Sequence, residues 1–332
     1  SKEPIVMILV FSIIYYENVI KGNLIAPLFV SIILLYRSIN CLLSIEGIWS
    51  MCLEGIGSIL LIDEELNKKD FQFEEKGYSK LISFKKGIKF QNVFFKYENR
   101  INNVLNGITL EIPYKSTIGL VGESGSGKST IVDLITLCHQ PTEGDILIEN
   151  INSSDLNKES WRRKIGYVTQ ENILFNTTIA NNISMQNIDP EKDKNIMNQV
   201  YKVALQSKVI DFVKKLPQGF STLVGDRGIR LSGGQKQRIC IARELFRKPD
   251  LLIFDEATSS LDTKSEREIQ KSIDAIKGKT TIIIISHRLS TLRKVDNLFL
   301  IADGIIKEEG NYNSLISKEN SLLNSILNSS KK

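Results

Sequence analysis

A stretch of eight residues, 122–129, limits the folds open to this chain more than any other feature. It reads GESGSGKS, follows the apolar run STIGLVG at 116–122, and precedes a helical pattern that starts at Lys128. Glycines in such a loop let the backbone turn so that successive N–H groups point at an anion. The following helix adds its own N-terminal N–H groups and dipole. The stretch therefore predicts a strand, a phosphate-binding loop and a helix, the local arrangement of an α/β fold.

Each part of this loop has an expected partner in a nucleoside triphosphate. We expect Lys128 to bridge the β- and γ-phosphates and the Ser129 hydroxyl to bind Mg²⁺. A glycine-rich turn without a ligand is the alternative, but the flanking strand and helix favour a phosphate site. The candidate phosphate-binding residues are Gly122, Glu123, Ser124, Gly125, Ser126, Gly127, Lys128, Ser129 and Thr130.

A second candidate element is the acidic pair Asp255 and Glu256, which follows the apolar run at 251–254. A buried strand there would place Asp255 at the carboxyl edge of the sheet, where open α/β folds bind their ligands. Asp255 is then positioned for the Mg²⁺ shell, and Glu256 could accept a proton from an attacking water. A strand that ends in a solvated acidic pair is the alternative, which the upstream phosphate loop disfavours.

The third element is the pentapeptide LSGGQ at 231–235, which runs into a pattern typical of an amphipathic helix. Ser232 is a good N-cap, and the two glycines leave the first N–H groups of the helix unobstructed, so this is a second anion site. One nucleotide has one γ-phosphate, which the first loop already holds. The simplest interpretation is that the second site serves a nucleotide carried by another copy of the protein.

Together, these motifs resemble those of the ATP-binding cassette (ABC) family, whose signature is LSGGQ, and the resemblance covers roughly residues 88–326. In that family two cassettes pack head to tail with two ATP molecules between them. The resemblance implies ATP and Mg²⁺ as cofactors, and a second copy or a homologous half-transporter as partner. It also implies that the signature completes the ATP site of the opposite subunit through Leu231, Ser232, Gly233, Gly234 and Gln235.

The resemblance assigns roles to further residues in short motifs. Tyr97 in FFKYENR matches the aromatic ring that stacks on adenine, and Gln170 in IGYVTQ matches the glutamine that contacts Mg²⁺ and relays movement to the membrane part. Asp262 in SSLD matches the carboxylate that couples the two sites. His287 in ISHRLST matches the histidine that contacts the γ-phosphate. The segment VGDRG at 224–228 resembles the loop that reads the position of an exporter's membrane domain.

Three positions depart from the family pattern. Ser116 stands where a turn glycine is usual, Thr169 where proline is frequent, and Asp226 where glutamate is frequent. None of these changes removes a catalytic group, so a competent ATPase is expected.

The N-terminal part is dominated by two apolar runs, at 5–16 and 24–36, the second of which can be extended past Arg37. A spanning helix needs about 20 apolar residues, so about two membrane helices are predicted, with a buried helical hairpin as the alternative. The chain starts without methionine at an apolar segment, which indicates a piece of a longer protein. Exporters of the resembled family carry six membrane helices per half, so four would be missing.

The predicted organisation has four segments. Residues 1–62 are the C-terminal part of a transmembrane domain, 63–86 a linker, 87–326 the cassette, and 327–332 a tail. The predicted fold class is an α/β P-loop NTPase cassette behind an all-α transmembrane fragment. The cassette is expected to have a parallel-sheet core, an antiparallel β subdomain and a helical subdomain.

Composition excludes several other classes. The net charge of +5 over 332 residues is modest and interspersed, so no nucleic-acid partner is expected. The four cysteines are widely spaced without a CxxC pair, which argues against a disulfide framework or a zinc site. A small GTPase is disfavoured because no NKxD-like guanine reader lies in a plausible loop and LSGGQ would be unexplained.

The leading hypothesis is the ATP-hydrolysing subunit of an ABC exporter of lipids, drugs or similar molecules. It would lie in a membrane as a multi-pass protein, in contact with lipid, in a prokaryotic inner or plasma membrane with the cassette in the cytoplasm. Two alternatives stay open: a soluble mechanical ATPase built on the same cassette, which would not partition into membranes, and an inactive fragment of a longer transporter. The sequence does not indicate the transported substrate.

Overall fold

The computed structural model describes residues 3–16, 19, 26–67, 77–98, 100–185, 190–256, 263–286, 288–318 and 321–324. The chain divides into two compact units, Ser1–Glu75 and Lys76–Lys332. The predicted tail at 327–332 lies outside the described residues.

The first unit contains two helices, α1 at Glu3–Tyr15 and α2 at Ala26–Asn67. At 1.5 Å per residue the 42 residues of α2 extend about 63 Å, twice the thickness of a bilayer's hydrocarbon core. Large apolar side chains, such as Trp49 and Ile59, are exposed along this helix. Of the helices that the structure describes, α2 alone is long and apolar enough to cross a membrane.

The predicted linker at 63–86 is wrong in both of its described parts. Residues 63–67 continue α2, because Asp, Glu and Leu are compatible with an exposed helix. Further on, Leu81 and Phe84 are buried in the core of the second unit, and the Ser79 N–H donates to the Asp155 carbonyl at 3.0 Å. The second unit therefore includes residues 77–86, ten residues before the predicted boundary.

Two β-sheets form the framework of the second unit, one ordered β2-β1-β4-β5 and the other β10-β9-β3-β8-β7-β6. The strands are β1 Ile88–Phe95, β2 Leu105–Ile112, β3 Thr117–Val121, β4 Glu143–Ile148, β5 Ile151–Asn152, β6 Ile165–Val168, β7 Leu251–Asp255, β8 Thr281–Ile285, β9 Asn297–Ala302 and β10 Ile305–Gly310. The first sheet is antiparallel; in the second, β9, β3, β8, β7 and β6 are parallel and β10 is antiparallel. The predicted fold class, with its antiparallel pair and parallel core, is confirmed.

Helices pack around these sheets. They are α3 Lys128–Ile135, α4 Lys158–Arg162, α5 Ile179–Ser184, α6 Lys194–Gln206, α7 Ile210–Val213, α8 Gly233–Phe246, α9 Thr263–Ile276, α10 Leu289–Leu292 and α11 Tyr312–Ile316. Three of them, α5, α6 and α8, contact one another and form the helical subdomain.

The parallel strands are buried on both faces, as their continuous apolar sequences require. Along β7, Leu251 and Ile253 join one hydrophobic cluster, whereas Leu252 and Phe254 join the other. Burial of one such large side chain contributes about 1.5–3 kcal/mol. Because β3, β8, β7 and β6 are neighbours and parallel, their carboxyl ends meet at one edge. The phosphate loop, Glu256 and the segment that starts at Thr169 all follow these ends.

Candidate nucleotide-binding site

The phosphate loop follows β3 and depends on its glycines. Gly125 and Gly127 have φ angles of +81° and +105°, which disfavour other residues. A Cβ atom on Gly122 would lie 2.2 Å from the Ile301 carbonyl oxygen, and one on Gly127 would lie 2.6 Å from Leu105 Cδ2. Gly127 caps α3 without a side-chain hydrogen bond. The first N–H groups of α3 are thus left to serve a ligand.

Lys128 lies under this loop and is almost fully buried. Its Nζ donates to the carbonyl oxygens of Gly122 at 2.9 Å and Glu123 at 2.7 Å. Burial lowers the pKa of Lys128, while the charges of Glu256 and Asp255 oppose that change. A desolvated ammonium that donates to two backbone carbonyls and, at 3.5 Å, to Ser126 Oγ can donate stronger hydrogen bonds to phosphate oxygens.

A cleft of about 280 Å³ opens beside the loop. It brings together the phosphate loop, Glu256 and Tyr97, which the sequence analysis assigned to one site. Its described lining residues are Tyr97, Arg100, Val104, Ser124, Gly125, Gly127, Lys128, Ser129, Thr130, Glu256 and Ile285. The signature residues 231–235 do not occur among these described lining residues.

Tyr97 is fixed against α3 at one end of the cleft. Its hydroxyl lies 3.2 Å from Thr130 Oγ1 and donates to Asp133 Oδ2 at 3.4 Å. The rings of Phe95 and His139 meet the Tyr97 ring edge to face, at centroid distances of 4.8 Å and 5.4 Å. His139 therefore has the structural role of supporting this aromatic ring.

The acidic pair ends β7 as predicted. Asp255 is half-buried, and its Oδ2 accepts a hydrogen bond from the Tyr167 hydroxyl at 2.8 Å. Glu256 has a φ angle of +47°, and its N–H donates to the Ile285 carbonyl oxygen at 3.0 Å. Positive φ is uncommon for a residue with a side chain, and such strain concentrates at functional sites. The strand edge thus holds Glu256 beside the phosphate loop.

Gln170 lies exposed in a bend after β6. The loop behind it is bound to the helical subdomain through Arg243 of α8, which donates to the carbonyl oxygens of Ile173 at 3.0 Å and Asn182 at 2.8 Å. The Asn182 side chain is buried and accepts from the Phe175 N–H at 2.9 Å. This network was not predicted, because its partners are 60 to 70 residues apart in sequence.

The residues assigned to magnesium fit that ion chemically. Ser129, Asp255 and Gln170 offer a hydroxyl, a carboxylate and an amide oxygen, all of the hard type that Mg²⁺ prefers. Within the described residues, no group of three or more His, Cys, Asp or Glu side chains could hold a metal ion. That is compatible with Mg²⁺, which commonly binds through one or two carboxylates together with substrate phosphates.

The signature forms the start of α8. Ser232 and Gln235 make a capping box: Ser232 Oγ accepts from the Gln235 N–H, and Gln235 Oε1 accepts from the Ser232 N–H at 2.9 Å. Leu231 is buried and anchors the turn, whereas Ser232 and Gly233 are exposed. A Cβ atom on Gly234 would lie 2.4 Å from Ser265 Oγ, so α9 packs directly against this glycine. The exposed part of this capped helix end is therefore Ser232 and Gly233.

Two predicted site residues, Asp262 and His287, lie outside the described residues. The structure also adds one residue that the sequence analysis missed, Tyr167. Only the pairing of β6 with β7, in which Tyr167 lies opposite Ile253, indicates that Tyr167 is close to Asp255.

Comparison with known proteins identifies similar sequences and folds. Residues 105–259 match the family model described as ABC transporter. An ATP-dependent lipid A-core flippase of Haemophilus ducreyi (strain 35000HP / ATCC 700724) is 37% identical over 303 residues, which cover 91% of this chain and 50% of the flippase. Multidrug resistance protein 1 of Entamoeba histolytica is 45% identical over 231 residues, 69% of this chain and 18% of that protein.

A solved structure of a bacterial Atm1-family ABC exporter with ATP bound is also similar. It has a TM-score of 0.68 and 35% sequence identity, over 78% of this chain and 44% of the exporter chain. The chain spans half or less of the length of each of these relatives.

Proposed function

The chain belongs to the ABC transporter family, and from that premise we propose that it binds MgATP and hydrolyses it to drive export of a substrate across a membrane. One observation carries the proposal. The cleft at the carboxyl edge of the parallel sheet brings a glycine-lined phosphate loop, the buried Lys128 and the acidic Glu256 around one volume.

Each residue of the proposed site has a role that follows from its chemistry. The backbone of residues 122–130 and the Lys128 ammonium hold the phosphates, and the Tyr97 ring stacks on the base. Ser129, Asp255 and Gln170 would hold Mg²⁺, which would supply positive charge to neutralise the phosphates. Glu256 orients the attacking water and accepts its proton, while His287 stabilises charge on the γ-phosphate.

A second copy, or a homologous half-transporter, completes the site. Because Ser232 and Gly233 are exposed and the signature lies outside the cleft of its own chain, the signature would serve the ATP of the opposite subunit. The residues in trans are Leu231, Ser232, Gly233, Gly234 and Gln235, and Asp262 couples the two sites.

The first unit supplies the connection to the membrane. The length and apolar surface of α2 support a place in the membrane, with the cassette in the cytoplasm. Relatives are named for lipid A-core flipping and multidrug resistance. By analogy, the substrate class is an amphipathic lipid or an apolar drug.

The substitution Glu256→Gln tests this proposal. It keeps the size and polarity of the side chain but removes its basicity, so ATP binding should be preserved while hydrolysis falls about 10²–10⁴-fold. Steady-state phosphate release and equilibrium ATP binding by the detergent-solubilised chain measure the two quantities. The control is Glu111→Gln, at an exposed position of β2, which should change neither. Near-normal turnover in Glu256→Gln would refute the assignment of the base.

A further inference from the structure

Tyr167 reaches the acidic residue at the end of the neighbouring strand. It lies on β6 opposite Ile253 of the parallel strand β7, so Asp255, two residues further along, projects from the same face of the sheet. The long phenol side chain spans this diagonal, and its hydroxyl donates to Asp255 Oδ2 at 2.8 Å. This is a well-formed hydrogen bond to a carboxylate.

The two carboxylates near Tyr167 have different tyrosine partners. Asp133, on α3, accepts from Tyr97, whereas Asp255 accepts from Tyr167. The Tyr167 hydroxyl has a single proton, and it donates that proton in a hydrogen bond to Asp255. This hydrogen bond occupies one carboxylate oxygen and restricts rotation of the group.

We infer that Tyr167 is a positioning residue for the magnesium site: its hydroxyl orients the Asp255 carboxylate toward the cation that accompanies ATP. The inference rests on the proposed function, in which Asp255 is a Mg²⁺ ligand. Groups that hydrogen-bond to a metal-binding carboxylate are worth about 10–100-fold in metal affinity or activity. Removal of the hydroxyl should therefore weaken Mg²⁺ binding more than it weakens nucleotide binding.

The test is a Mg²⁺ titration of equilibrium binding of the non-hydrolysable analogue AMP-PNP to the full chain in detergent. In Tyr167→Phe the half-saturating Mg²⁺ concentration should rise about tenfold or more, while AMP-PNP affinity in EDTA stays within about twofold of wild type. Tyr114→Phe is the matched control, because it removes a hydroxyl from another half-buried ring at the opposite end of β3. Its Mg²⁺ dependence should equal that of wild type.

A second experiment tests whether the Tyr167 hydroxyl acts through Asp255. In an Asp255→Asn background, Tyr167→Phe should cause no further change in the Mg²⁺ dependence, because the carboxylate it orients is gone. If Tyr167→Phe melts below the assay temperature, Tyr167→Ile replaces it, since a β-branched residue suits a strand.

The outcomes separate the two proposals. A wild-type chain whose AMP-PNP binding ignores Mg²⁺ would overturn the proposed function and this inference with it. A wild-type chain with Mg²⁺-dependent binding, combined with an unchanged half-saturating Mg²⁺ concentration in Tyr167→Phe, would overturn the inference alone. A lower melting temperature with unchanged Mg²⁺ dependence would show that the hydroxyl is merely structural.

Discussion

Lys128 shows how single residues prepare the cleft for a ligand. Its ammonium is desolvated and donates to carbonyl oxygens of its own loop, which helps to hold the loop in shape. A triphosphate would replace these neutral partners with charged oxygens, which make stronger hydrogen bonds to an ammonium. The glycines at 122, 125 and 127 cannot be replaced without a clash or backbone strain, so this shape is encoded by a few positions.

The reactivity of Cys240 tests whether this residue of α8 is buried, with the exposed Cys138 as the comparison. Burial raises the pKa of Cys240, on α8, to about 11, whereas Cys138 is exposed. At pH 8 a thiol with that pKa is ionised to about one part in a thousand, and only the thiolate reacts. Iodoacetamide should therefore alkylate Cys138 and spare Cys240 in the native chain, and should modify both after denaturation. Peptide mass spectrometry measures the alkylation of each cysteine. Equal rates of alkylation of Cys138 and Cys240 in the native chain would contradict the burial of Cys240 in α8.

The residues of the site differ in how far sequence predicts them. Lys128, Ser129 and Glu256 follow from local motifs, because strand, loop and helix are contiguous there. Tyr167 does not, because its role depends on the register of two strands whose paired residues are 86 positions apart.

Among the elements, the packing of α8 against α9 fixes the signature in place. Gly234 has no space for a side chain, since a Cβ would lie 2.4 Å from Ser265 Oγ and 2.5 Å from Ser265 Cβ. The glycine is thus required by close approach of two helices in addition to any contact with a ligand.

Gly234→Ala should therefore destabilise the cassette itself. Overpacking of this kind costs about 1–3 kcal/mol, which lowers the melting temperature by about 2–4 °C per kcal/mol in a domain of this size. Ser265→Gly removes the obstructing atoms, so Gly234→Ala should cost little in a Ser265→Gly background. Thermal melts of the wild-type chain, the two single variants and the double variant measure whether the two substitutions are coupled. An equal loss in both backgrounds would show that Ser265 is not the cause.

The strands were predicted correctly where a continuous run of residues is buried. β3, β7 and β8 are runs of apolar residues covered on both faces, and such runs are visible without tertiary information. The linker prediction failed because Leu81 and Phe84 belong to a short stretch, LISF, between lysines, which does not by itself indicate burial. Their burial depends on contacts near Asp155 and Ser160, about 80 residues away.

For the whole molecule, the central consequence of the proposed function is that one chain would provide two incomplete halves of a nucleotide site. The phosphate loop lines a cleft that the signature of the same chain does not join, and the capped end of α8 is exposed. Two copies related head to tail would bring the two halves together twice. The sequence predicted this from the presence of two anion sites for one γ-phosphate.

A cross-link between chains tests this arrangement. The variants place thiols at the two halves, Ser124→Cys in the phosphate loop and Ser232→Cys at the start of α8, both exposed positions. The chain also carries Glu256→Gln to retain ATP. The exposed native cysteines are replaced by serine at positions 41, 52 and 138.

The decisive measurement is the yield of cross-linked dimer on a denaturing gel after treatment with a short bifunctional maleimide. A band at twice the chain mass should form in MgATP, disappear without nucleotide, and be absent when either thiol is present alone. Failure to form that band in saturating MgATP, or a cross-link confined within one chain, would contradict a nucleotide site shared between two copies.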